Sequence, residues 1–197
     1  MVAYLNLHML LASQRADAAA HGGRPGPRVL VCGAANSGRT SLVRALAAWA
    51  AKTGAQCAVV NGEPREGLLT LPGTLSAAVF ASLMDAESES GWGAAPTSGP
   101  SAVPVKLPLV HHFGREKAED DVALYKTLVS RLAGGVTARL TADPAVGSAG
   151  LLIDAPAVSR DGVELLAHVV EEFSGGFWAS FLLSPSDRGP ETFRTDD

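Results

Sequence analysis

The sequence predicts an α/β fold: a doubly wound, mostly parallel sheet with helices on both faces. Three observations carry the prediction. Short apolar runs at residues 28–32, 56–61 and 150–154 have the near-continuous hydrophobic pattern of strands buried on both sides. Longer segments between them repeat apolar residues at helical spacing. A glycine-containing turn joins the first run directly to a helix, so the chain opens as a β–loop–α–β unit.

Residues 4–20 read as a helix with Leu7, Leu10 and Leu11 on one side, closed by the breaker His21-Gly22-Gly23-Arg24-Pro25-Gly26-Pro27. A strand at 28–32 follows, then a helix at 38–52 with Leu42, Leu46 and Trp49 in register, then a strand at 56–61. Residues 68–84 are apolar and punctuated by Pro72-Gly73-Thr74, and no element is assigned there. Residues 86–105, rich in Ser, Gly and Pro, read as a long loop or mobile insertion, and 105–113 as a short strand. The clearest amphipathic helix covers 117–140, with Tyr125, Leu128, Val129, Leu132, Val136 and Leu140 on one face and Asp143-Pro144 as its stop. A buried strand at 150–154, a helix at 162–173 and a last strand at 177–183 complete the pattern. The expected organisation is an N-terminal helix and linker at 1–27, a nucleotide-binding domain at 28–183, and a disordered tail at 184–197.

With 197 residues, 47% of them hydrophobic and 18% charged, the chain can bury one sizeable core. Its formal net charge of -4 argues against a broad basic face that grips nucleic acid unaided; RNA contact would need a local groove or a partner subunit. Cys32 and Cys57 sit in strand-like runs and read as small buried thiols, which suits a reducing compartment, cytosol or nucleus. No stretch approaches membrane-spanning length, and residues 1–11 carry no positive leader, so the sequence reads as a soluble protein.

The chemistry concentrates in Gly33-Ala34-Ala35-Asn36-Ser37-Gly38-Arg39-Thr40-Ser41, a Gly-x4-Gly turn between a buried strand and a helix. This is the P-loop arrangement, and it specifies the fold class as that of a P-loop NTPase. Glycines let successive backbone N–H groups turn inward on phosphate oxygens, and the helix start adds partial positive charge. Gly33, Asn36, Ser37, Gly38, Arg39, Thr40 and Ser41 are the expected nucleotide contacts, with the Thr40 hydroxyl placed for Mg²⁺. The lysine expected at residue 39 is Arg39. A planar fork cannot take the place of a compact ammonium unchanged, and phosphoryl transfer depends on positioned charge more than binding does.

Two acids are candidates for metal or base. Asp154 ends a buried strand expected beside the P-loop strand, where it is a second Mg²⁺ contact or a plain strand-end cap. Glu63, in Asn61-Gly62-Glu63-Pro64, is a base, a metal contact or a solvated loop acid. Arg39, Glu63 and Asp154 are thus the catalytic candidates. His111-His112 reads as a partly exposed strand end, and the acidic run at 116–121 as a favourable start for the helix that follows.

Several motifs occur in one order: the P-loop, Asn61-Gly62-Glu63-Pro64-Arg65-Glu66-Gly67, Leu71-Pro72-Gly73-Thr74, Leu107-Pro108-Leu109-Val110-His111-His112-Phe113-Gly114, Leu124-Tyr125 with Ser130-Arg131-Leu132, and Gly150-Leu151-Leu152-Ile153-Asp154-Ala155-Pro156. Together, over residues 6–174, they resemble the central domain of the Clp subunit of the mRNA cleavage and polyadenylation machinery in its fungal form. The wider family contains RNA 5′-hydroxyl polynucleotide kinases. The resemblance implies an ATP- and Mg²⁺-binding subunit of a nuclear complex. It further implies partners among the other subunits, a Pcf-type protein included, and RNA met through the complex.

Departures from the family pattern point away from kinase activity. Arg39 replaces the lysine, and Glu63 stands where an Asp is usual. Arg65-Glu66 replaces Gly-Gln, and Ala155 a common Thr. The domains that family members carry before and after this one are expected to be absent, and Gly175-Gly176-Phe177-Trp178 does not resemble the family's Val-rich strand. The leading expectation is therefore a catalytically weak or inactive ATP-binding scaffold in mRNA 3′-end formation. The alternative is an ATP-dependent RNA 5′-hydroxyl kinase in which Arg39 stabilises transferred charge and Glu63 or Asp154 activates the hydroxyl. A GTPase is disfavoured, because no Asn-Lys-x-Asp motif occurs in the chain.

Overall fold

The computed structural model describes residues 2–21, 24–67, 70–80, 108–159, 162–174, 178–183 and 191–193. Its helices are α1 (Val2–Ala20), α2 (Arg39–Lys52), α3 (Val122–Ala142), α4 (Pro144–Ala149) and α5 (Val163–Phe173). Its strands are β1 (Arg28–Gly33), β2 (Ala58–Asn61), β3 (Thr74–Val79), β4 (Leu109–His112), β5 (Leu151–Asp154), β6 (Trp178–Leu183) and β7 (Glu191–Phe193).

The described strands form one sheet in the order β4-β3-β2-β5-β1-β6-β7. The four central strands are parallel, while β3, β4 and β7 extend the two edges antiparallel. Alternate residues of β1, β2 and β5 enter different cores, as a sheet covered on both faces requires. Leu30, Val60, Leu151 and Ile153 pack with α3 and α5 through Tyr125, Leu128, Leu132, Leu165 and Phe173. Val29, Val31, Val59 and Leu152 pack on the other face with Leu7 and Leu11 of α1 and Leu42, Val43 and Leu46 of α2. Both cysteines are buried and neither forms a disulfide.

Four expectations need correction. Leu10 is 50% exposed, because the buried face of α1 runs through Leu7, Leu11, Arg15 and Ala18 and leaves Leu10 on its flank. Thr74–Val79 forms a strand where none was assigned; all six residues are buried, so the alternation that marks a half-buried strand is missing. Asp143-Pro144 ends α3 but also opens α4: Pro144 occupies the first helical turn, and the Asp143 side chain accepts from the N–H groups of Ala145 and Val146. Glu191–Phe193, expected in a disordered tail, pairs with β6, a ladder that satisfies backbone groups on an outer strand. The rest of that tail and the expected loop at 86–105 lie outside the described residues.

The helix expected at 117–140 starts with a turn of 3-10 helix at Ala118–Asp121, and α3 proper is capped by Asp121, whose carboxylate accepts from the Leu124 N–H at 3.0 Å. Gly150 admits β5 to its place beside β1. Its φ is 80°, and a Cβ there would lie 2.1 Å from the Pro27 carbonyl oxygen.

Candidate phosphate site

Parallel strands end their chemistry on one side of the sheet, outside their carboxyl ends. Here the register aligns Val31 of β1, Asp154 of β5 and Asn61 of β2 in one row. The P-loop leaves β1 at that row and the acidic segments leave β5 and β2 beside it.

The loop is shaped by backbone. Asn36 takes a φ of 60°, the left-handed region that Asn tolerates better than most side chains. Gly38 follows at 89° and stands at the N-terminus of α2, with no side chain capping the helix. First-turn N–H groups have no partner within their helix, so the start of α2 presents donors and the positive end of its dipole to an anion. Ala34, Ala35, Asn36, Gly38 and Ser41 are exposed, and Ser37 is half-buried. The loop therefore offers main chain, with few side chains in the way.

The acidic side is built the other way. Asp154 is fully buried and accepts a hydrogen bond from the Thr40 hydroxyl at 2.6 Å through Oδ2. Its Oδ1 is buried without a partner among the described residues. Burial pushes the Asp154 carboxyl up to about 6, against the opposing pull of the Thr40 hydrogen bond and the Arg39 charge. An orphaned carboxylate oxygen beside a threonine hydroxyl is a donor set that fits a hard divalent cation. Thr40 and Asp154 are the residues that would hold Mg²⁺, which would supply charge neutralisation on phosphate oxygens.

Glu63 is neither solvated nor free. It is 3% exposed, and its Oε2 accepts from Arg39 Nη2 at 3.0 Å and from the Ala157 N–H at 2.7 Å. Its Oε1 accepts from the Arg65 N–H at 3.2 Å. Arg39, 5% exposed, also donates from Nη1 to the Ala155 carbonyl. Both arms of the guanidinium are thus occupied by protein. Three protein donors, the Arg39 guanidinium among them, already occupy both oxygens of this carboxylate, which commits it to holding the structure. Of the three catalytic candidates, Glu63 is an anchor for Arg39, Arg39 is a tether between the segments that follow β2 and β5, and Asp154 retains an unused oxygen.

Sequence reasoning missed the residues that hold this arrangement. Asn61 Oδ1 accepts from the Glu63 N–H at 3.1 Å while its Nδ2 donates to the Glu66 carbonyl at 2.8 Å. The Asn61-Gly62 pair, a familiar turn signal, could have announced that bend. The Tyr125 hydroxyl of α3 donates to the Gly62 carbonyl at 2.8 Å. A Cβ at residue 62 would stand 3.0 Å from the Asp154 carbonyl oxygen and 3.2 Å from that hydroxyl. Nothing in the spacing of Tyr125, which reads as an ordinary core position, signals this contact.

His111 is half-buried and His112 exposed on the edge strand β4, and no cluster of three or more His, Cys, Asp or Glu placed to hold a metal occurs among the described residues. Among the described residues no helix is long and apolar enough to cross a membrane.

A family model described as mRNA cleavage and polyadenylation factor CLP1 P-loop matches residues 33–176. Over 178 residues the chain is 58% identical to an mRNA cleavage and polyadenylation factor CLP1 from Pyricularia oryzae, an alignment covering 87% of this chain and 39% of that protein. Its counterpart from Botryotinia fuckeliana is 46% identical over 177 residues, covering 88% and 38%. The chain thus spans about two fifths of the length of these relatives. Among solved structures, a wild-type Clp1p–Pcf11p complex superposes with a TM-score of 0.80 at 31% identity, covering 93% of this chain and 41% of the other. A second, describing an extended interface between Pcf11p and Clp1p and ATP loss in a point mutant, has a TM-score of 0.78 at 30% identity.

Proposed function

The chain belongs to the family of the mRNA cleavage and polyadenylation factor CLP1 P-loop, and from that premise we propose that it is an ATP-binding scaffold of the pre-mRNA cleavage complex, with phosphoryl transfer weak or absent. Residues 28–183 form the nucleotide-binding unit in this reading, and residues 1–27 a helix and linker. It works in the nucleus, in mRNA 3′-end processing and polyadenylation, beside a Pcf-type partner, and meets RNA through the complex.

One observation carries the reading: the backbone cradle is intact while the only cation in the loop is committed to Glu63 and the Ala155 carbonyl. Binding draws on N–H groups of the loop and the first turn of α2, contributed by residues 33–41. Transfer of the terminal phosphoryl group needs positive charge placed where that group moves, and tethered Arg39 does not supply it. Thr40 and Asp154 would hold Mg²⁺, which would supply charge neutralisation to the phosphates. Calorimetric titration with ATP, with and without Mg²⁺, tests the proposal. Saturable binding is expected, and no binding at millimolar nucleotide would overturn it.

A second reading, an ATP-dependent RNA 5′-hydroxyl kinase, draws on Asp154. Its unpartnered Oδ1 and an affinity for protons raised towards neutrality suit a general base. Incubation with labelled ATP and a 5′-hydroxyl oligoribonucleotide separates the two: the scaffold reading expects no label on RNA, and turnover would favour the kinase.

A further inference from the structure

Resting on the nucleotide reading of the loop, we propose that the tethering of Arg39 between Glu63 and Ala155 makes this site select by phosphate number, holding a nucleoside diphosphate more tightly than the triphosphate.

Phosphates are met by two different kinds of group in a P-loop. Main-chain N–H groups cradle the α- and β-phosphates, and a lysine side chain reaches the β- and γ-phosphates as a mobile point charge. The first kind is complete here, with the start of α2 left uncapped by any side chain. The second kind is withdrawn. Arg39 is the one basic residue in positions 33–41, and both of its terminal nitrogens are engaged away from the loop. Rotating it towards a terminal phosphate would strip Glu63, 3% exposed, of its counter-charge in a buried setting.

The γ-phosphate also brings negative charge to a place already acidic. Asp154 is bonded to Thr40 at the start of α2, and its Oδ1 has no partner among the described residues. A diphosphate uses the complete half of the site and stops short of the incomplete half. The triphosphate adds charge that residues 33–41 meet with no uncommitted cation. Bound Mg²⁺ offsets part of that deficit, so the preference is largest without metal.

Calorimetry of the purified chain with ADP and with ATP, first in chelator and then in Mg²⁺, provides the test. The expected result is an ADP affinity about tenfold above that for ATP in chelator, narrowing in Mg²⁺. Arg39→Lys, which restores a flexible point charge, should close or invert the ratio. Glu63→Gln, which removes the anchor's charge but keeps its shape, should shift the ratio towards ATP. Thermal unfolding of the nucleotide-free variants identifies any that fail to fold, and the wild-type ratio stands without them. Equal or tighter ATP binding by the wild type in chelator overturns the proposal and leaves the nucleotide reading in place. An unchanged ratio in folded Arg39→Lys removes Arg39 as its cause. Binding of neither nucleotide defeats the underlying reading itself.

Discussion

The phosphate loop and the acidic ends of β2 and β5 lie side by side but are made of different material. Around the loop the chain contributes peptide groups, held open by Asn36 and Gly38 at positive φ, and most side chains there face solvent. On the acidic side the main actors are buried side chains: Glu63, Arg39, Thr40 and Asp154 are each 9% exposed or less and bonded to protein. A site built this way can lose a catalytic side chain without losing its cradle, because the two halves do not share atoms. The same separation means that they should respond differently to substitution.

The largest contrast is expected at Glu63. Glu63→Ala leaves the Arg39 cation buried and unpaired, and should cost about 3–5 kcal/mol in urea unfolding. A cost below about 1 kcal/mol would mean that the pair is not closed in solution, and the contrast between the halves would collapse.

Asp154 sharpens it through pH. Its carboxyl lies near 6 when folded against 3.8 when free, so between those values the folded state binds more protons. Its contribution to stability is present below about pH 4 and is lost as pH rises through about 6, a change on the order of 3 kcal/mol. Asp154→Asn should flatten stability across that window, and an unchanged slope would assign the titration elsewhere. Added Mg²⁺ should protect the wild type more at pH 7.5 than at pH 5, since only the carboxylate binds it.

On the loop, Gly38→Ala is expected to cost about 1 kcal/mol, all of it from the left-handed φ of 89°, since a Cβ there meets nothing within 4 Å. The smallest effect belongs to the exposed Arg65–Glu116 pair, 2.6 Å apart, where a double-mutant cycle should return about 0.5 kcal/mol that fades with salt. A coupling as large as that of Arg39 and Glu63 would erase the distinction between buried and exposed pairs.

The loop half was readable in sequence and the acidic half only in outline. Gly-x4-Gly between an apolar run and a helix is a local pattern, and residues 33–41 carry all of it. Strands β1, β2 and β5 were equally plain, because burial on both faces leaves unbroken apolar runs. Glu63 could not be assigned: its partner is 24 positions earlier, and the two segments meet because β1, β5 and β2 end in one row. Strand β3 escaped for a related reason, since Ser76-Ala77-Ala78 carries neither alternation nor bulk, and the antiparallel addition beside β2 supplies its order. Pro144 was read as a stop when it is equally a start.

Tyr125 gives the site an optical signature. The chain has two tyrosines, and this one is buried among α3, Gly62 and the edge of the Phe113 ring, 5.7 Å away between centroids. Burial and the nearby Glu63 carboxylate hold its phenol protonated far into the alkaline range. Its phenolate band at high pH should therefore rise only when the fold opens, in step with loss of secondary structure, and the ultraviolet absorbance of one native side chain becomes a record of whether Gly62 and Glu63 are still in place.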